Sequence, residues 1–286
     1  MDAVRVCLLV VGIVSRIDPR PVFAVLFALG CLAGCTKGSS SQGDSDPSAS
    51  PDRQDSSAGI VDVGSSSYRP GALSAVGSVA GLVRLDGRPP ADTAPTASGE
   101  PTCDVAAEPN GSNGTDLSNT VVWIADPKTG KPLPIDRRAE ISTEHCVIEP
   151  RVQAAVVGTG INVFNDDRVL HRLTFVRSGT DDTLAVMPFF NDGQVVASDR
   201  LARKPGVVEI RCAQHPWMHA YVLVFDHPYF AVTSADGSFK IDSLAPGSYK
   251  LMIWHEGAAK PLEKTINVAA GSIAKADAAL TLGAAQ

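Results

Sequence analysis

The stretch IRCAQHPWMHAYVL, Ile210 to Leu223, sets Cys212, His215 and Met218 at the spacing C-x-x-H-x-x-M. A run of branched residues, GVVEIRC, leads into it and another, AYVLVFD, leads out, so the pattern reads as strand, tight loop, strand. A thiolate, an imidazole and a thioether on one short loop can converge on one ion. Such a loop cannot close the shell alone, so a fourth ligand has to come from elsewhere in the fold. GINVFNDDRVLHRLTF, residues 160–175, offers His171: Ile161 and Val163 alternate toward one face, Asn165 begins a turn, and the chain returns at His171.

The surrounding sequence is β-like. SVAGLVRLDG (78–87), TVVWIA (120–125), VIEPRVQAAVV (147–157), INVFN (161–165) and HRLTFV (171–176) join the two runs above, with Gly, Pro, Asn and Asp clusters between them. No window sustains a 3.6-residue apolar period over three turns. The expected class is all-β, a Greek-key sandwich followed by a smaller one. Residues 89–119 are too polar for strands and read as a long loop. The chain of 286 residues carries 25 basic and 31 acidic side chains, a formal net charge of -6. No basic stripe with interleaved aromatics is present, which excludes a nucleic-acid partner.

The C-terminal part, YFAVTSADGSFKIDSLAPGSYKLMIWHEG, has regular punctuation. Asp236-Gly237 between two alternating runs signals a hairpin, and Pro246-Gly247 introduces a strand with Tyr249, Leu251 and Ile253 on one face. The pattern D-G-x-F-x-I-x-x-L-x-P-G-x-Y-x-L resembles the regulatory-like domain of carboxypeptidases, a small transthyretin-like sandwich, over residues 229–282. That resemblance implies a fold and no activity. The expected division is therefore a first sandwich over 76–226 and a second over 227–286. Because residues 78–90 also carry the opening strand and D-G-x-P turn of such domains, that strand is a candidate to join the C-terminal sheet.

The pattern N-x-D-x-x-x-H, followed at a distance by C-x-x-H-x-x-M between two strands, resembles the cupredoxins, and among them the amicyanin type with its short ligand loop. The resemblance implies a type 1 copper centre, with His171 and His215 supplying imidazole nitrogens, Cys212 the thiolate and Met218 the weak axial sulfur. Zinc fits less well, since structural zinc sites do not use Met. The family places Asn directly after the first ligand His. Here Arg172 stands in that position, and Asn165 is the candidate to replace its hydrogen bonding. Pro216 and Trp217 would bracket the exposed edge of a ligand imidazole and form an apolar docking patch for a redox protein partner. His219 reads as solvent-facing, and His145, His227 and His255 as structural.

The run ending in Leu32-Ala33-Gly34-Cys35 resembles the bacterial lipobox, with an apolar stretch, PVFAVLFALGCLAG, too short to span a bilayer. Residues 1–34 are thus expected to be a lipoprotein signal peptide, Cys35 the lipidated N-terminus and residues 35–75 a Ser-, Gly- and Asp-rich disordered tether. The chain would lie in the cell envelope, on the periplasmic or surface face of the outer membrane, anchored there by lipid. Setting aside Cys7, Cys31 and Cys35 leaves Cys103, Cys146 and Cys212. The simplest distribution in an oxidising compartment is a Cys103–Cys146 disulfide with Cys212 held apart, although pairings with Cys212 stay formally open.

The expected function is single-electron transfer by a membrane-anchored copper protein. Copper storage or delivery on the same ligands is one alternative. A non-redox β-sandwich module that binds a ligand or serves a structural role at the surface is the other. With no H-x-x-E pair, no G-x-S-x-G elbow and no phosphate-cradling loop, the chain is expected not to be an enzyme.

Overall fold

The computed structural model describes residues 61–64, 68–87, 103 and 117–283. The expected signal segment, the lipidation site Cys35 and most of the tether and of the 89–119 loop lie outside the described residues. Every regular element among the described residues is a strand. In chain order they are β1 (Arg69–Pro70), β2 (Gly77–Asp86), β3 (Val121–Ile124), β4 (Thr129–Gly130), β5 (Ala139–Glu144), β6 (Val147–Glu149) and β7 (Val152–Val156). Next come β8 (Ile161–Asn165), β9 (His171–Arg177), β10 (Thr183–Phe189), β11 (Gln194–Ser198), β12 (Gly206–Cys212) and β13 (His219–Phe225). The C-terminal part adds β14 (Phe230–Val232), β15 (Ser238–Leu244), β16 (Gly247–Trp254), β17 (Leu262–Val268), β18 (Ile273–Lys275) and β19 (Ala278–Thr281).

Two sheets face each other over the first core. One has the order β10-β9-β12-β13-β7 and the other β11-β8-β5-β6. Their inward side chains, among them Ile141, Ile161, Val163, Leu173, Phe175, Val208, Ile210 and Val222, form one buried cluster. The β7–β13 and β5–β8 pairs run parallel, so this sandwich is not purely antiparallel. The second sandwich sets β14-β3-β16-β17 against β15-β2-β18, with β19 also on β2, over a core that includes Val79, Val122, Ile124, Ile241, Leu251 and Ile253.

The sheets do not part at position 226. β2 and β3, which precede the first sandwich in sequence, hydrogen-bond to β15 and β16 of the second. The strand of residues 78–90 thus joins the C-terminal sheet, for which it is a candidate from sequence, and β3, expected in the 76–226 sandwich, joins the C-terminal sandwich as well. A third buried cluster explains the arrangement: Trp123, Val152, Leu223, Phe225 and Trp254 bring the outer faces of β7 and β13 against those of β3 and β16. Strands buried on both faces read as continuous apolar runs, as VVWI and AYVLVF do.

Two expectations are corrected locally. Asp236-Gly237 makes a tight turn, with the Gly237 N–H donating to the Ser234 carbonyl at 2.8 Å. The flanking strands are nonetheless not a paired hairpin, because β14 joins β3 and β15 joins β2 in the opposite sheet. The run VIEPRVQAAVV is also two strands. Pro150 supplies no N–H to a ladder, and the chain leaves one sheet as β6 and enters the other as β7.

Candidate metal centre

Strand alternation sets the site. On β9 the period of two turns His171, Leu173 and Phe175 inward, and on β12 it does the same for Val208, Ile210 and Cys212. The pairing of Cys212 with Leu173 brings the end of β12 beside the start of β9. The intervening loop then folds back on itself. The Met218 N–H donates to the His215 carbonyl (2.9 Å), the Cys212 N–H to the Met218 carbonyl (3.1 Å), and the Ala213 N–H ties the loop to β9 through the Arg172 carbonyl (3.0 Å).

Three donor atoms converge. His171 Nδ1 lies 3.1 Å from His215 Nδ1, and Cys212 Sγ lies 3.8 Å from His171 Nδ1 and 3.5 Å from His215 Nδ1. All three residues are buried, at 0%, 4% and 5% exposure for His171, His215 and Cys212. A triangle of 3.1, 3.5 and 3.8 Å has a circumradius of about 2.0 Å, close to the ~2.0–2.3 Å bonds of a first-row metal to imidazole and thiolate. The residues present therefore fit an ion held trigonally by two imidazole nitrogens and one thiolate sulfur. Met218 is buried in the same core cluster as Cys212 and Leu173.

The electrostatics follow from packing these groups out of water. Burial alone would raise the Cys212 thiol, but hydrogen bonds from His171 and His215 and from the N–H groups of Arg172 and Gln214 outweigh it and bring it to about 5. Burial alone would lower His171, and hydrogen bonds to Asp167 and Cys212 reverse that, raising it to about 9. Both shifts favour the charged forms, a thiolate on Cys212 and an imidazolium on His171.

The supporting contacts are only partly legible in the sequence. His171 Nε2–H donates to Asp167 Oδ2 at 2.8 Å, and the same oxygen accepts from the Cys146 N–H at 3.0 Å. This fixes which nitrogen of His171 faces the donor triangle. Asp167 is the D of N-x-D-x-x-x-H, a signal that names the residue without disclosing its role. Asn165 is buried and works one step further out: its Nδ2 donates to the carbonyls of Asp167 and Asn191, both at 2.8 Å, and Oδ1 accepts from the Thr143 hydroxyl at 2.6 Å. The Arg172 side chain is exposed and contributes through its backbone alone.

The structure joins Cys103 and Cys146 by a disulfide and leaves Cys212 as a free, buried thiol. The bridge sits on the outer edge of His215, with Cys103 Sγ 3.8 Å from Nε2. Trp217 closes the same side, its ring centroid 5.2 Å from that of His215 and its Nε1–H donating to the Cys146 carbonyl at 3.0 Å. The expected exposed imidazole edge is therefore covered, and of the expected docking pair Pro216 is exposed and Trp217 half-buried. His219 is not solvent-facing either. Its Nδ1 meets the Trp217 carbonyl at 3.0 Å and its Nε2 meets Arg151, whose fork is held by Glu256 with Nη2 to Oε2 at 2.8 Å. Burial opposes ionisation of Glu256, yet His219 and Arg151 hold its carboxyl at about 2. His227 is buried and pushed down to about 4 by that burial.

A half-open cleft of about 650 Å³ lies beside this ion cluster, lined in part by Arg177, Arg211, Tyr221, Trp254, Glu256 and Lys260. No helix among the described residues is long and apolar enough to cross a membrane.

Comparison with known proteins gives two different likenesses. Residues 224–276 match the family described as polysaccharide lyase family 4, domain II. The chain is also 32% identical over 111 residues to a probable rhamnogalacturonate lyase A of Aspergillus flavus, covering 37% of this chain and 20% of the lyase. The chain thus spans about a fifth of that relative. Among solved structures it is similar to a copper-containing nitrite reductase of Thermus scotoductus SA-01 (20% identity, TM-score 0.28, 32% of this chain and 23% of that one). A purple cupredoxin of Nitrosopumilus maritimus (25% identity, TM-score 0.26, 30% and 98%) and a variant of amicyanin in its oxidised state (19%, 0.27, 31% and 83%) are further neighbours. Likenesses at these TM-scores carry no functional argument. The lyase matches overturn the expectation that the chain is not an enzyme, and the C-terminal segment is similar to a lyase domain, which leaves the carboxypeptidase regulatory-like resemblance without support.

Proposed function

We propose that this chain would bind one copper ion through His171, Cys212 and His215, with Met218 as a further sulfur donor, and pass single electrons in the cell envelope, anchored there through Cys35. The observation that carries the reading is the buried triangle of His171 Nδ1, His215 Nδ1 and Cys212 Sγ, with sides of 3.1, 3.5 and 3.8 Å. Thiolate and thioether donors select a soft ion, and imidazole serves both copper oxidation states. Bound there, copper would supply a one-electron couple. The chain's own part is to hold the donors still: β9 and β12 fix His171 and Cys212, and the loop hydrogen bonds fix His215. Asp167 sets the tautomer of His171, and the disulfide with Trp217 keeps water from His215. Release of copper to a chelator within seconds would favour storage or delivery over electron transfer.

A second reading is favoured by the lyase matches. The segment 224–276 supplies Trp254, Glu256 and Lys260 to the cleft between the sandwiches, and a saccharide could lie along this wall of mixed charge. Incubation with rhamnogalacturonan, followed by ultraviolet absorbance of unsaturated products, tests whether the chain cleaves such a polymer or only binds it.

The copper reading is tested on the full-length protein by absorption and electron spin resonance after copper addition. An intense visible thiolate-to-copper band is expected, lost in Cys212→Ser and shifted in Met218→Leu. A band that survives Cys212→Ser would falsify the ligand assignment.

A further inference from the structure

Three cysteine sulfurs lie about the His215 ring, and the proposed copper site uses only that of Cys212. Cys212 Sγ faces Nδ1 at 3.5 Å, while Cys103 Sγ faces Nε2 at 3.8 Å on the opposite edge. Ligand atoms of Cys103, Cys146 and His215 all lie within 4.8 Å of one another, and all three residues are buried. A second buried triad, Cys146, Asp167 and His171, overlaps it. As a disulfide, Cys103 and Cys146 have no thiolate to offer. As thiols they would be a soft donor pair already gathered beside an imidazole, walled by Trp217 and closed to water.

We propose that when Cys103 and Cys146 are reduced, the chain binds a second ion, Cu(I), between their thiolates, with His215 Nε2 as the third donor in reach. The inference deepens the copper reading and rests on it for the choice of ion. A dithiol reductant supplies two electrons and two protons, the Cys103–Cys146 bond breaks to two thiols, and the reductant leaves as its own disulfide. Cu(I) then displaces the two thiol protons without changing oxidation state. Donation from His215 Nε2 releases one proton more. Low-coordinate thiolate sites suit Cu(I) better than the harder divalent ions, which retain oxygen ligands. The state of the disulfide would therefore set the capacity of the chain for copper.

The test uses the full-length chain with Cys7, Cys31 and Cys35 replaced by serine, so that three cysteines remain. It is prepared once with the disulfide formed and once under phosphine reductant from lysis onward, with thiol titration reading one and three. Anaerobic Cu(I) titration against a chromogenic chelator is expected to give one ion per chain in the first state and two in the second. The reduced form of the C103S/C146S variant should return to one. A chain with three titratable thiols that takes up no more Cu(I) than the oxidised chain overturns the proposal, as does a chain whose thiol count never exceeds one. Uptake of none when oxidised and one when reduced, lost in C103S/C146S, would uphold this site and sink the Cys212 assignment instead.

Discussion

Replacing Asp167 by Asn isolates one interaction of the metal centre. Asp167 is 4% exposed, and its Oδ2 accepts from both His171 Nε2–H at 2.8 Å and the Cys146 N–H at 3.0 Å. An amide oxygen in the same place can keep both contacts, so the fold survives. What is lost is the negative charge beside His171. Outer partners of a ligating histidine are worth roughly 10–100-fold in metal affinity, or about 1.4–2.8 kcal/mol. Cu(I) affinity of D167N, measured by chelator competition, should fall by that factor. In parallel, NMR titration of the metal-free variant should show His171 moving down from about 9 toward its ordinary value, since its carboxylate partner is gone. Unchanged affinity together with an unchanged His171 titration would refute the claim that Asp167 orients the ligand, whatever happens to thermal stability.

Four further outcomes are expected. Removing the disulfide as C103S/C146S, with a sequence separation of 43, should cost about 4 kcal/mol by loop-closure entropy, and a denaturant midpoint within error of the parent would contradict this. Glu256→Gln takes the carboxylate charge from the buried fork of Arg151, with an expected loss of about 3–5 kcal/mol read as a fall in Tm; a change under about 1 kcal/mol would make the cluster no better than a surface pair. Gly237→Ala should destabilise strongly, because φ is +80° and a Cβ would meet the Val83 carbonyl at 2.2 Å; a variant melting with the parent would place the turn elsewhere. In the metal-free chain the His171 contribution is complete below 6.5 and lost as pH rises through about 9, while that of Cys212 is complete above 9.0 and lost as pH falls through about 5. Their sum is flat above pH 6.5 and drops by at most about 2 kcal/mol between pH 6.5 and 5; urea midpoints constant over that interval would exclude a preformed ion pair.

What the sequence discloses, and what it withholds, follows from how far each signal travels along the chain. Period-two alternation is local, so INVFN, HRLTFV and GVVEIRC are readable, and with them the inward face shared by His171 and Cys212. β10 and β11 escape because they are edge strands with mixed exposure, and Pro188 in TLAVMPF argues against a strand unless its missing N–H faces outward. β5 escapes because AEISTE turns Thr143 inward, and that polar side chain is satisfied only by Asn165 on β8. The D-G-x-P form of residues 78–90 marks β2 for the C-terminal sheet, but the partners of β3 lie more than a hundred residues away, which no local window contains. The contact between Arg151 and Glu256, separated by 105 residues, is invisible for the same reason, and with it the fate of His219.

Those long-range contacts bear directly on the candidate metal centre. The loop from Ala213 to Met218 is short, but its hydrogen bonds to β9 and to its own ends would leave the outer edge of His215 free to swing. Contacts to Cys103 and Cys146, distant in the chain, prevent that. The Cys103–Cys146 bridge stands against Nε2, and Trp217 is pinned over the ring by its bond to the Cys146 carbonyl. Immediately after the loop, His219 meets Arg151 and Glu256, and Glu256 closely follows β16 of the second sandwich. The third cluster, with Trp254 against Tyr221, then fixes β16 relative to β13. Ligand rigidity here is thus a property of both sandwiches together. The proposed electron transfer would need a frame of this kind, since a loop free to relax would add reorganisation to every transfer.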